Sequence, residues 1–222
     1  MKLSIERADL VGMVARQIHS LFLLSPNERP LLDRAVSIAL ERVEYCFERT
    51  DDKYYKRDGE AYFNPFHSGQ YCIFLYFLSR EVVDHDGPDS LLADRIYYLN
   101  KALNGLDLYH AIELPHVFML DHPVGTVLGR ARYGEYFRFA QNCTVGNNRG
   151  IYPSFGTRVT LMSGAKVVGR CRIGDGVIIA ANAFVKDEDV PARSIAFGSS
   201  PSLTIKPITS AAPEDASASG PV

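Results

Sequence analysis

No stretch of this 222-residue chain is apolar for the roughly 18 residues a membrane-crossing helix requires, so no helical membrane span is expected. The opening residues, Met1-Lys2-Leu3-Ser4-Ile5-Glu6-Arg7, lack the apolar centre of a signal peptide, and the cytoplasm is the expected compartment. Neither sign of charge is in excess: 24 Lys and Arg against 26 Asp and Glu leave a net charge of -2. The basic residues are scattered, which argues against a nucleic-acid partner. Cysteine is scarce. Cys46, Cys72, Cys143 and Cys171 have neither metal-ligand spacing nor the density of a disulfide framework, and no metal is expected. The length allows one or two domains and a sizeable core.

What is present is a six-residue beat. Phe155, Leu161, Val167, Ile173, Ile179 and Val185 are large and apolar, and Pro153, Val159, Ala165, Cys171, Val177 and Ala183 stand two positions before them. The beat is expected to run upstream through Val127, Tyr133, Phe139 and Val145, with Gly125, Ala131, Phe137 and Cys143 as their partners. A period of six fits neither an amphipathic helix nor an alternating strand. It is the mark of hexapeptide repeats stacked as a parallel β-helix, each unit being a short strand and a corner. From about Asp107 to Leu203 this makes roughly five coils. Residues Asn147 to Tyr152 interrupt the beat by four residues, where a loop is expected.

The first hundred residues carry helical spacing instead. Leu10, Val14, Ile18 and Leu21 mark one helix, and Leu32, Val36, Ala39, Val43 and Phe47 a second. Lys53 to Phe66 reads as a loop, with Asp51 and Asp52 as solvated residues before it. Ser68 is the expected cap of a third, buried helix through Tyr71, Phe74 and Leu78. Leu91 to Leu103 form a fourth that Gly105 ends. The expected fold is α+β: a helical domain over 1–105, a parallel β-helix over 106–206, and a Ser/Ala/Pro-rich disordered tail over 207–222.

Asp107-Leu108-Tyr109-His110 is followed by Leu120-Asp121-His122-Pro123-Val124-Gly125, with fifteen residues from Asp107 to His122. With Gln141-Asn142-Cys143-Thr144-Val145-Gly146, this resembles the serine acetyltransferase family of left-handed β-helix acyltransferases. Asn64-Pro65-Phe66-His67-Ser68-Gly69-Gln70 and His122 through Gly129 are similar to members from bacterial surface-polysaccharide clusters. The left hand of the helix is implied by this resemblance alone, since ordinary crossovers are right-handed. The resemblance implies an acetyl-CoA donor, His122 as general base and Asp107 as the carboxylate that orients it. A neutral imidazole accepts a hydroxyl proton near neutral pH, and a carboxylate on its far nitrogen fixes the tautomer. Asp121 resembles an acceptor-binding residue. For the donor, Gly164, Ala165, Ala181 and Ala183 offer small side chains to a pantetheine arm, and Gly198 with Lys206 marks a cofactor loop, with Lys186 a further cation.

The chain departs from the family at one place. Where the family has Arg-His-Pro, this sequence has Ile151-Tyr152-Pro153, and the Arg that meets an amino-acid carboxylate is missing. Arg149 is the nearest substitute, and Tyr152 is expected to meet the acceptor. The expected function is an acetyl-CoA-dependent O-acetyltransferase acting on a hydroxyl or amine of a sugar or related small acceptor. The alternatives are a serine O-acetyltransferase of cysteine biosynthesis, and a non-catalytic β-helix scaffold. A zinc enzyme on the same fold, using His110 and His116 with His122, is the rival chemistry. Those histidines fall on successive sides of the prism and do not stack. A homotrimer or a dimer of trimers is the expected assembly.

Overall fold

A computed structural model describes residues 1–50 and 52–209 of the chain. Four helices come first: α1 (Arg7–Leu21), α2 (Arg29–Glu48), α3 (Ser68–Asp86) and α4 (Leu91–Asn104). Helix α3 is buried on nearly every side, as its run of apolar residues demands. Its cap is His67, not Ser68: the imidazole accepts the Gln70 N–H at 3.3 Å. Helix α4 starts under Ser90, whose hydroxyl accepts the Ala93 N–H at 3.4 Å, and stops at Gly105 with φ at 63°. The expected loop after α2 contains strands β2 (Lys56–Arg57) and β3 (Glu60–Phe63), which form a hairpin, and β3 also pairs with β1 (Lys2–Leu3). Two-residue and four-residue strands leave too short an alternation to read from sequence.

The second part is a β-solenoid. One face stacks β4 (Phe118–Leu120), β6 (Phe137–Phe139), β9 (Thr160–Leu161), β12 (Ile178–Ile179) and β14 (Ser194–Phe197) in parallel, closed by antiparallel β15 (Thr204–Pro207). A second face stacks β5 (Val127–Leu128), β7 (Thr144–Gly146), β10 (Lys166–Val168) and β13 (Phe184–Lys186). The third face holds β8 (Ser154–Phe155) and β11 (Arg172–Ile173), flanked by bridges at Arg132 and Val190. This makes about four turns rather than five, and Val167 pairs with Val185 one turn of eighteen residues later.

The beat residues fill the prism. Leu161, Val167, Ile179 and Val185 are fully buried, and Cys143 and Cys171 lie inside with them. Each such side chain contributes roughly 1.5–3 kcal/mol relative to exposure. The upstream phase slips at one point. Val127 is 45% exposed, and its neighbour Leu128 points inward, paired with Val145. The interior is aromatic in the first coils, where the Tyr133 and Phe155 rings stack at 5.4 Å. The helical layer covers the first coil: Phe118 packs edge-on against Tyr76 and Phe77, and Tyr76 donates to Ile112 O at 2.8 Å and accepts from Leu114 N–H at 2.9 Å. Pro207 pairs with Ser194 at the end of β15, so the expected tail starts inside a strand, and residues 210–222 lie outside the described residues.

Candidate active site

His122 occupies the corner between β4 and β5. Its φ is 48°, in the left-handed region, and Val124 N–H donates to His122 O at 2.7 Å. Asp121 still belongs to the ladder, its N–H bonded to Phe139 O at 2.9 Å, so the chain turns sharply after it and leaves the imidazole exposed. Gly125 closes the turn with φ at 75°. A Cβ there would lie 2.2 Å from Asn142 Oδ1 in the next coil, so glycine is required.

Asp107 stands at the edge of the same face, bridged to Val127. Its carboxylate is held from helix α4: Tyr97 donates at 2.7 Å and Lys101 at 2.6 Å. Burial pushes the Asp107 carboxyl up, but these two donors pull it down further and leave it below the usual carboxylate range. Among the described residues no hydrogen bond joins Asp107 to His122, so the expected dyad is not formed in this chain as it stands. Asp107→Asn is expected to lower the unfolding free energy slightly, by up to about 1 kcal/mol, because the Lys101 pair is half exposed. Chemical denaturation followed by circular dichroism checks this.

The group the sequence did not suggest is Arg138, which holds Asp121, the residue before His122. It points outward from β6, between inward Phe137 and Phe139, and its Nε and Nη2 donate to Asp121 at 2.7 and 3.1 Å. Asp52 lies 3.9 Å from the same guanidinium. The Asp121 hydrogen bond, set against burial, holds the Arg138 guanidinium more firmly charged than usual. Asp52 is thus part of a charged cluster rather than a solvated residue, while Asp51 lies outside the described residues.

The interruption at Asn147 to Tyr152 is a tight hairpin, with reciprocal backbone bonds between Asn148 and Ile151 at 3.0 Å. Arg149 and Gly150 form its tip, with φ of 52° and 82°. Tyr152 packs across Gly129, where a Cβ would sit 3.0 Å from its ring, and its hydroxyl accepts from Asn147 at 3.3 Å. Within one chain this hairpin and His122 lie at opposite corners of the β5–β7–β10–β13 face. The structure does not bring Tyr152 or Arg149 to His122.

The expected cofactor residues divide. Ala165 and Ala183 are buried in the prism, so their small size serves the coil and not a ligand. Gly164 turns a corner with φ at 75°, beneath Asn182 Oδ1, where a Cβ would sit at 2.3 Å. Ala181, Gly198 and Lys206 are exposed, with Lys206 Nζ over the Phe197 ring at 5.9 Å. His110 is buried against Asp94 at 3.0 Å and His116 lies edge-on to Tyr45 at 6.0 Å. Among the described residues no three metal-binding side chains converge, and no helix is long and apolar enough to cross a membrane. All four cysteines are buried, with burial pushing the Cys46 and Cys72 thiols up to about 12, so none offers a thiolate for an acyl-enzyme.

A prism of six-residue steps defines a hexapeptide-repeat protein. The family described as bacterial transferase hexapeptide (six repeats) matches residues 153–187. The Helicobacter pylori serine acetyltransferase is 31% identical over 117 residues, covering 47% of this chain and 68% of that protein. Solved structures share the fold, two of them with a ligand of interest. Neisseria gonorrhoeae serine acetyltransferase in complex with serine has a TM-score of 0.64 at 22% identity, covering 88% of this chain and 83% of that one. Serine acetyltransferase in complex with coenzyme A from Brucella abortus has a TM-score of 0.63 at 18% identity, covering 91% and 82%. The chain belongs to the serine acetyltransferase family, and it is an acyltransferase.

Proposed function

We propose that the chain is a serine O-acetyltransferase that uses acetyl-CoA. The observation that carries this reading is its kinship with the Helicobacter pylori serine acetyltransferase, over two thirds of that protein's length. Solved structures of the same fold hold serine in one case and coenzyme A in another. The expectation of a surface-polysaccharide setting gains no support from these relatives.

His122 is the general base. Its neutral imidazole takes the acceptor hydroxyl proton as that oxygen attacks the thioester carbonyl. The C–S bond breaks, and the proton passes from the imidazolium to the departing thiolate, giving coenzyme A and the acetyl ester. Asp107 is the orienting carboxylate once its side chain turns from Lys101 toward the ring. The donor runs along the exposed edge marked by Ala181, Gly198 and Lys206. Transfer is direct, because the buried thiols leave no protein nucleophile beside the base. Release of thiol from acetyl-CoA, measured with serine and with a panel of nucleotide-sugars, tests the acceptor. Turnover of nucleotide-sugars alone would refute the serine reading.

A sugar acceptor keeps two observations in its favour. Asp121 is already paired with Arg138, and Ile151 stands where the family's carboxylate-binding Arg is expected. The Asp121 carboxylate is thus already engaged and not free for an ammonium group.

The working unit in this reading is a homotrimer. Val124, Val127, Ile151 and Met162 are 61%, 45%, 50% and 43% exposed on the solenoid. Closed threefold packing covers them and carries the hairpin of one copy to the His122 corner of the next. Light scattering at micromolar concentration is expected to give three or six times the chain mass of 24.7 kDa. A fully active monomer would refute this.

A further inference from the structure

Strands β2 and β3 and the start of α3 enclose an open cleft of about 300 Å³, lined by Lys53, Lys56, Arg57, Tyr54, Tyr62 and His67 among others. Three cations face it and no carboxylate does. The nearest acids along the chain are engaged elsewhere. Lys2 holds Asp58 at 3.3 Å and Glu60 at 3.7 Å, while Asp52 accepts the Tyr54 N–H at 2.9 Å and lies 3.9 Å from Arg138. Among the described residues no Asp or Glu pairs with Lys53, Lys56 or Arg57.

Two of the three charges lie over aromatic rings of the cleft wall. Arg57 lies over the Tyr62 ring at 5.1 Å and Lys53 over the Tyr54 ring at 5.2 Å. His67 spends Nδ1 on the Gln70 N–H at 3.3 Å, which leaves Nε2–H as a donor. Gln70 ties the two walls together, accepting the Asn64 N–H and donating to Tyr54 O, both at 2.6 Å. The cleft neighbours the candidate active site. Lys53 follows Asp52, and the His67 ring and the Leu120 side chain both close on Gly69, at 3.4 and 3.2 Å from where its Cβ would be.

We propose that this cleft binds the phosphate group of a phosphorylated small molecule, with Lys56 and Arg57 as its main cations. Three clustered cations, an N–H donor and phenol rings without an opposing acid suit a doubly charged oxyanion. The site does not depend on which hydroxyl the enzyme acetylates.

Isothermal titration of the full chain with pyrophosphate, with uridine diphosphate and with coenzyme A tests it, at about 150 mM salt so that distant charges are screened. Pyrophosphate and uridine diphosphate are expected to bind. The double variant Lys56→Glu/Arg57→Glu is expected to weaken both by about tenfold or more, with an unchanged circular dichroism spectrum and unchanged coenzyme A binding. If that variant fails to fold, Lys56→Gln/Arg57→Gln takes its place. Tighter binding of the nucleotide supports a nucleotide-linked ligand, and equal binding supports a simple phosphate. Absence of heat with both anions, or equal affinity in the variant, overturns the site. Coenzyme A serves as the separate control: if it fails to bind while pyrophosphate binds, the acetyltransferase reading falls and the cleft stands.

Discussion

Replacing His122 with alanine is expected to lower kcat by roughly a hundred- to ten-thousand-fold, the usual cost of losing a general base. The fold should survive. The side chain is exposed and makes no hydrogen bond among the described residues, so nothing in the core depends on it. The backbone is the one complication. At φ of 48° the position favours residues tolerant of the left-handed region, and alanine is less tolerant than histidine or asparagine. His122→Asn is therefore the cleaner variant: it suits that region and removes the base. Both variants should bind coenzyme A as the parent does. Asp107→Asn should lose less activity than either, since it misorients the imidazole rather than deleting it. Thiol release with the acceptor in excess, alongside a circular dichroism spectrum, makes the comparison. A parental rate in His122→Asn would remove His122 from the chemistry.

The solenoid was legible because its rule is local and repeated. Leu161, Val167, Ile173, Ile179 and Val185 each obey one sentence: six on, point in. The rule failed where the spacing changed. Between Leu128 and Tyr133 the corner is one residue shorter than the beat, so counting back by six lands on Val127, which faces outward, instead of Leu128. The helices were readable from their spacing, but the β2–β3 hairpin was not, being too short to show alternation. Interior alanines misled in a different way. Ala165 and Ala183 are small because the corner needs it, and composition alone does not separate that demand from a cofactor's.

The candidate site was readable at His122, which sits in a family-like segment, and unreadable at Arg138. Its role depends on stacking: Arg138 lies one coil beyond Met119, its partner in the β4–β6 ladder, and so reaches Asp121. Phe137-Arg138-Phe139 did carry a signal, since a charged residue between two inward aromatics must point out of the prism. Asp52 had no such signal. It joins the cluster from another part of the fold, and only the packing of the helical layer on the first coil brings it there.

Arg138→Ala is expected to improve serine as an acceptor, lowering its KM by about tenfold. The reason is competition for one carboxylate. Asp121 now accepts two hydrogen bonds from the Arg138 guanidinium, and Asp52 adds a second negative charge 3.9 Å from it. A serine ammonium group seeking a counter-ion beside His122 must first displace that cation. A charge-assisted hydrogen bond contributes about 1.5–3 kcal/mol, so its removal from the competitor is worth on the order of ten- to a hundredfold in affinity, and the lower figure applies to a half-exposed pair. The effect should appear in KM, with kcat little changed, because the base and the thioester are untouched. A sugar acceptor predicts the opposite pattern. With no ammonium to place, the Arg138 side chain and its paired Asp121 are contacts for hydroxyls, and kcat/KM for the sugar should fall in Arg138→Ala while serine stays poor. Measuring both acceptors with both proteins decides between them. If the parent already turns serine over with kcat/KM above about 10⁴ M⁻¹s⁻¹, ordinary for a native substrate, and Arg138→Ala changes nothing, then Arg138 is no competitor and the ammonium group is held elsewhere.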